Sequence, residues 1–141
     1  MAKVLVVYVT TTGNTEIMAN AIAEGAKGAG ADVTCKTVGS ASVSELADYD
    51  VIAFGSPAMG AEVIEEAEME PFFSEAASSA LKGKKVAVFG SYDWGDGEWL
   101  RTWEDRCKEA GAVIVTEGLK VNLTPDDAAI NECKAWGAKL A

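Results

Sequence analysis

The stretch Val4-Leu5-Val6-Val7-Tyr8-Val9-Thr10-Thr11-Thr12-Gly13-Asn14-Thr15 decides the fold. Its first half is a continuous apolar run, too short for a membrane span or a signal core but suited to a strand covered on both faces. Its second half breaks into hydroxyls, Gly13 and Asn14. A helical spacing follows over Thr15–Ala29, with Ile17, Met18, Ala21, Ile22 and Ala26 on one face and Gly28 and Gly30 closing it. A buried strand feeding a helix through a short turn opens a βαβ unit.

The alternation continues to the end of the chain. Asp32–Val38 reads as a second strand, more polar and so nearer an edge, and Val51–Phe54 as a third. A helix is expected from about Pro71 to Ala80, then a fourth strand over Lys85–Gly90. Trp99, Trp103 and Cys107 mark the inner face of the next helix, and Ala112–Val121 reads as one fifth strand. The last helix opens with Thr124 as N-cap, Pro125 in the first turn and Asp127 three residues after the cap, and runs to about Leu140. With no linker or repeat, residues 1–141 form a single domain of class α/β, a doubly wound five-stranded parallel sheet. The right-handed crossover rule leaves few strand orders, 2-1-3-4-5 among them. In that order ligands sit beyond the carboxyl ends of strands 1 and 3, where the winding reverses.

Composition narrows the chemistry. Twelve basic against twenty-two acidic residues give a net charge of −10, which repels nucleic acid and anionic membranes and draws the chain towards basic protein surfaces. There is no histidine, which removes imidazole acid–base catalysis and most zinc and haem sites. Cys35, Cys107 and Cys133 are odd in number and lack a CxxC spacing, so they read as reduced, small buried hydrophobes of a cytoplasmic protein. No metal site is expected.

The loop after strand 1 then carries the first chemical signal. Helix N-termini offer unpaired amides and a positive dipole end, and Thr10, Thr11, Thr12, Asn14 and Thr15 add short neutral donors around Gly13. No Lys or Arg occurs from Val4 to Gly25, so neither the nucleotide-hydrolase GxxxxGK[ST] loop nor GxGxxG is present. A single terminal monophosphate fits best; the plainer alternative is a Thr/Asn turn that only caps a helix.

Two further loops leave the same sheet edge: Ser56-Pro57-Ala58-Met59-Gly60-Ala61-Glu62 after strand 3, and Ser91-Tyr92-Asp93-Trp94-Gly95-Asp96-Gly97 after strand 4. Each holds one large polarisable side chain among turn-forming residues. Met59 and Trp94 could cover the two faces of a planar heterocycle, forming a slot for an isoalloxazine. The alternative places Trp94 back on the helix of Trp99 and Trp103.

Together Thr10–Thr15, Ala58-Met59-Gly60 with Glu62, and Gly90-Ser91-Tyr92 with Trp94-Gly95-Asp96 resemble the three flavin mononucleotide (FMN) loops of short-chain flavodoxins of anaerobic bacteria. The resemblance spans the whole chain, including a strand 5 without the long insertion of other members. It implies that Thr10, Thr11, Thr12, Gly13, Asn14 and Thr15 hold the FMN phosphate and that Pro57 and Ala58 approach the ribityl chain. Met59 and Trp94 would flank the ring, with Ser91, Asp93 and Gly95 in the same loop set. Glu62 would accept the flavin N3–H, and the Gly60–Ala61 peptide would turn on reduction so that the Gly60 carbonyl meets N5–H. Ala61 and Asp93 depart from the pattern the resemblance leads one to expect, in which a polar residue and a glycine often stand at those positions.

By the same resemblance the chain is a low-potential one-electron carrier that stabilises a neutral semiquinone and serves basic partners, the flavodoxin- or ferredoxin-linked oxidoreductases, as a monomer. No cation stands in these loops to stabilise the reduced anion, while Glu62, Glu65, Glu66, Glu68 and Glu70 make an acidic run beside them. One charge at about 5 Å, with an effective dielectric of about 20, is worth ~3 kcal/mol, or roughly 140 mV for one electron. Three rivals are weaker. A phosphate receiver needs clustered Asp where Thr10 and Ser56 stand. No Cys has the CxxxxxR spacing of a phosphatase, and a flavin-dependent reductase needs more chain to wall a substrate pocket.

Overall fold

A computed structural model describes residues 2–59, 63–93 and 95–141. The elements run β1 (Lys3–Tyr8), α1 (Asn14–Gly28), β2 (Asp32–Thr37), β3 (Val51–Gly55), α2 (Met69–Ser79), β4 (Lys85–Tyr92), α3 (Glu98–Glu109), β5 (Val113–Ile114), β6 (Leu119–Asn122) and α4 (Asp127–Ala138). Every strand pair is parallel, in the order β2-β1-β3-β4-β5, with β6 continuing the β5 edge along β4. This is the 2-1-3-4-5 arrangement, and the polar β2 lies at an edge.

Side-chain alternation along β1 builds two cores. Val4, Val6 and Tyr8 face α1 and α4, packing with Met18, Ile22 and Trp136. Leu5, Val7 and Val9 face α2 and α3, packing with Phe54, Phe73, Trp99 and Trp103. Phe73 meets Phe54 edge-on with centroids 5.3 Å apart, and Trp103 closes the cluster 5.7 Å from Phe73. Removing such a side chain from water contributes ~1.5–3 kcal/mol, so these residues hold the helices against the sheet. Trp99, Trp103 and Cys107 all lie on the inner face of α3. Ile17 does not share the buried face of α1; it is 37% exposed, and Ala19 is buried instead.

Strand 5 departs from the continuous run expected over Ala112–Val121. Val115 N still donates to Val86 O at 3.0 Å, but Thr116, Glu117 and Gly118 then leave the ladder before β6 resumes it. Tertiary contacts account for the break. Gly118 N donates to Glu104 Oε2 at 3.0 Å, Trp136 Nε1 donates to Glu117 O at 2.9 Å, and Leu100 packs where a side chain at 118 would sit.

Two boundaries also move. α2 begins at Met69 rather than Pro71, with Pro71 inside its first turn. Asp126, not Thr124, caps α4: its Oδ1 accepts from Ala129 N at 2.8 Å. Leu123 explains the displacement, because it holds φ at 59° where the chain leaves β6, so the helical register starts later. Among the described residues no helix is long and apolar enough to cross a membrane.

Candidate functional site

Three strand ends converge because the sheet ladder continues into their loops. Val9 N donates to Gly55 O at 3.0 Å, Ser56 N to Phe89 O at 3.1 Å, and Ala58 N to Ser91 O at 2.9 Å. Gly90 makes the closest approach possible, since a Cβ there would overlap the Ser56 carbonyl. Trp99 Nε1 donates to that same carbonyl at 3.3 Å.

At the β1 end, Gly13 precedes α1 with φ 93°, a left-handed conformation that costs a residue with a Cβ about 1–2 kcal/mol. Its N–H donates to Thr10 Oγ1 at 3.0 Å, folding the threonine loop over the helix start. Among the described residues no side chain caps α1. Its first paired amide is Ile17 N, donating to Gly13 O at 3.1 Å. Among the described residues the amides of Asn14, Thr15 and Glu16 therefore have no partner, which is the donor set a phosphate requires. Thr10 is half-buried, and Thr11 and Thr12 are exposed beside these amides. Thr15 is buried, its Oγ1 2.8 Å from Ser91 Oγ, so the helix start is tied directly to β4. Ser91 belongs to β4, not to the loop after it as the sequence suggests.

The loop after β3 is closed by a two-residue bridge: Met59 N donates to Val63 O at 2.8 Å, and Val63 N to Met59 O at 3.1 Å. Pro57 is buried, and Ala58 and Met59 are half-buried. Gly60, Ala61 and Glu62 lie outside the described residues, as does Trp94, so the expectations placed on them stay expectations. Asp93 and Gly95 are exposed beyond β4.

The acidic run does not form one uniform surface. Glu65 is buried and caps α2: Oε2 accepts from Ala67 N at 2.7 Å, and Oε1 from Glu68 N at 2.8 Å and Met69 N at 3.0 Å. Burial pushes its carboxyl up, but the three amides outweigh that and hold it below the ordinary glutamate range. Glu70 is taken by Arg106, whose Nη1 and Nη2 reach its two oxygens at 2.8 and 2.7 Å; this bond, against some burial, lowers the Glu70 carboxyl. Glu66 and Glu68 remain exposed. A carboxylate four residues before Met69 could have been read as a cap.

Burial pushes all three thiols up, to about 11 for Cys35 and Cys133 and about 12 for Cys107, so none is a thiolate at neutral pH. What converges at this rim, among the described residues, is a set of neutral donors and half-buried apolar surface suited to binding.

The sequence matches the family model described as Flavodoxin over residues 6–137. The chain belongs to the flavodoxin family. It is 46% identical over 136 residues to the flavodoxin of Megasphaera elsdenii, covering 96% of each chain. Identity to the flavodoxin of Clostridium beijerinckii is also 46% over 136 residues, covering 96% of this chain and 97% of the relative. The solution structure of two-electron reduced Megasphaera elsdenii flavodoxin superposes with a TM-score of 0.87 at 45% identity, covering 97% of both chains. Flavodoxins carry electrons on bound FMN, and this chain is an electron-transfer protein of that family rather than an enzyme. The unpaired amides at the start of α1 and the glycine-allowed contact of β4 with the β3 loop fit that cofactor.

Proposed function

We propose that the three converging loops form one FMN site and that the chain, a single domain over residues 1–141, is a low-potential carrier of single electrons. The observation that carries this reading is the unpaired amide set of Asn14, Thr15 and Glu16, welded to β4 through the Thr15–Ser91 contact. These amides, with Thr10, Thr11, Thr12 and Gly13, hold the phosphate without any cation, and the helix dipole adds ~0.3–1 kcal/mol for a charge at that end. Pro57 and Ala58 line the ribityl chain. Met59 and Trp94 cover the ring, Gly60, Ala61 and Glu62 border it, and Ser91, Asp93 and Gly95 complete the rim. FMN, once bound, supplies the electron storage; the protein supplies position, water exclusion and an acidic field that opposes added negative charge.

Glu66, Glu68 and Asp93 are exposed beside these loops and give them the charge to meet a basic redox protein. A net charge of −10 favours a dispersed monomer working in the cytoplasm. Titration of the cofactor-free protein into micromolar FMN tests the site: quenching of flavin fluorescence is expected, and riboflavin, lacking the phosphate, should bind at least tenfold more weakly. Equal affinity for the two would remove the phosphate assignment.

A further inference from the structure

The loop after β4 contains no cation, yet the fold brings two to it. Lys120 Nζ, from β6, donates to Asp96 O at 3.1 Å, and Arg101 Nη1, from α3, donates to the same oxygen at 3.0 Å. Arg101 Nη2 also pairs with Asp96 Oδ1 at 3.1 Å. Asn122, two residues beyond Lys120, donates from Nδ2 to Tyr92 O at 3.1 Å and Asp93 O at 3.3 Å, and Leu123 N donates to Tyr92 O at 2.8 Å. Three carbonyls within five residues are thus engaged from β6 and α3.

Each contact is exposed, and the Arg101–Asp96 pair alone is worth little in water. Their convergence is what matters. Side chains 24 to 30 residues away in sequence meet one short loop, and none of them adds to either core. The loop also contains Gly95 and Gly97 at φ 89° and 91°, residues whose backbone freedom must be restrained if the loop is to present fixed groups. A trans peptide directs its N–H opposite to its C=O. Holding Tyr92 O towards β6 therefore aims Asp93 N–H to the opposite side of β4, that of β3. Among the described residues Lys120 makes no ion pair, so its ammonium engages the loop through the Asp96 carbonyl rather than a carboxylate.

We propose that Lys120 and Asn122, assisted by Arg101, are positioning residues that fasten the carbonyls of the loop after β4 and thereby set FMN affinity and the midpoint of the second electron. This inference rests on the FMN reading above. Lys120 keeps the loop's donors aimed into the slot, and its positive charge favours the fully reduced cofactor. Removing the Nζ donor lets the loop wander in the cofactor-free protein, and FMN must then supply the ordering, an effect on affinity of up to about one hydrogen bond, or roughly fivefold.

The experiment compares the full chain with Lys120→Met, Asn122→Ala and Lys120→Arg by amide hydrogen exchange of residues 93–97, without and with FMN, and by FMN fluorescence titration. Lys120→Met and Asn122→Ala should each speed exchange in the loop and weaken FMN about fivefold, and Lys120→Arg should restore both. Lys120→Met should also make the second midpoint more negative. Failure of the unaltered chain to bind FMN would overturn the cofactor reading. With binding intact, unchanged loop exchange and affinity in the first two variants would overturn the fastening itself.

Discussion

Thr15 Oγ1 and Ser91 Oγ lie 2.8 Å apart in a buried contact that joins α1 to β4 across 76 residues of sequence. Neither hydroxyl can turn to water, since Thr15 is 1% and Ser91 4% exposed. Thr15→Val or Ser91→Ala leaves the other group buried without this partner, at a cost of about 1–3 kcal/mol. The double variant should cost less than the sum of the two. Urea denaturation midpoints of the four proteins close this cycle, and strictly additive losses would show that the hydroxyls act independently.

Glu65 gives the protein a defined weakness in acid. Its folded carboxyl sits below the ordinary value of 4.5, so its stabilising contribution is complete above that value and is lost as pH falls through the lower folded one. Glu65→Ala should cost ~2 kcal/mol at neutral pH through loss of the α2 cap. The gap between variant and parent should be full above pH 4.5 and should close as the medium is taken below that value, through the lower folded one. A gap that stayed constant would mean that the charged form makes no difference.

Gly90 is the narrowest point beneath the site. Gly90→Ala pushes a methyl group into the Ser56 carbonyl, and relieving that overlap must separate β4 from the β3 loop. The expected loss is about 3 kcal/mol of stability, with FMN affinity falling too. Paired thermal melts and FMN titrations would test both effects, and a stable variant with undiminished affinity would contradict the contact.

The acidic rim makes an unequal prediction for three neighbouring glutamates. Glu66→Gln with Glu68→Gln should flatten the ionic-strength dependence of electron transfer to a basic redox protein while leaving stability within about 0.5 kcal/mol. Glu70→Gln should do the reverse, because its charge is already met by Arg106 and its loss strands that guanidinium over the Phe73 ring. Stopped-flow rates across a salt series, beside denaturation curves, separate the two cases.

The strand order and the three-loop convergence were legible because they depend on short-range pattern: apolar runs four to six residues long, then turn chemistry. The proposal for Thr10–Thr15 draws on spacing, the absence of Lys and Arg, the place of the loop after strand 1 and the family resemblance, since spacing alone also suits a turn that only caps a helix. Features made by distant partners were not legible. Nothing local in Ala112–Val121 announces that Glu104 and Trp136 will pull Glu117 and Gly118 out of the ladder. The apparent Thr124 cap failed because Leu123 enters the left-handed region first. Nothing in the sequence singles out Lys120 or Asn122, and only the fold brings them to the loop after β4.

The interruption of strand 5 bears on life at high concentration. An open sheet margin is a template on which another molecule can lay its own backbone. Here that margin is cut into a two-residue and a four-residue piece, and the longer piece turns a lysine and an asparagine outward. A would-be neighbour finds too few free amides in register to begin stacking on this side, which leaves the continuous six-residue β2 as the margin where such stacking could start.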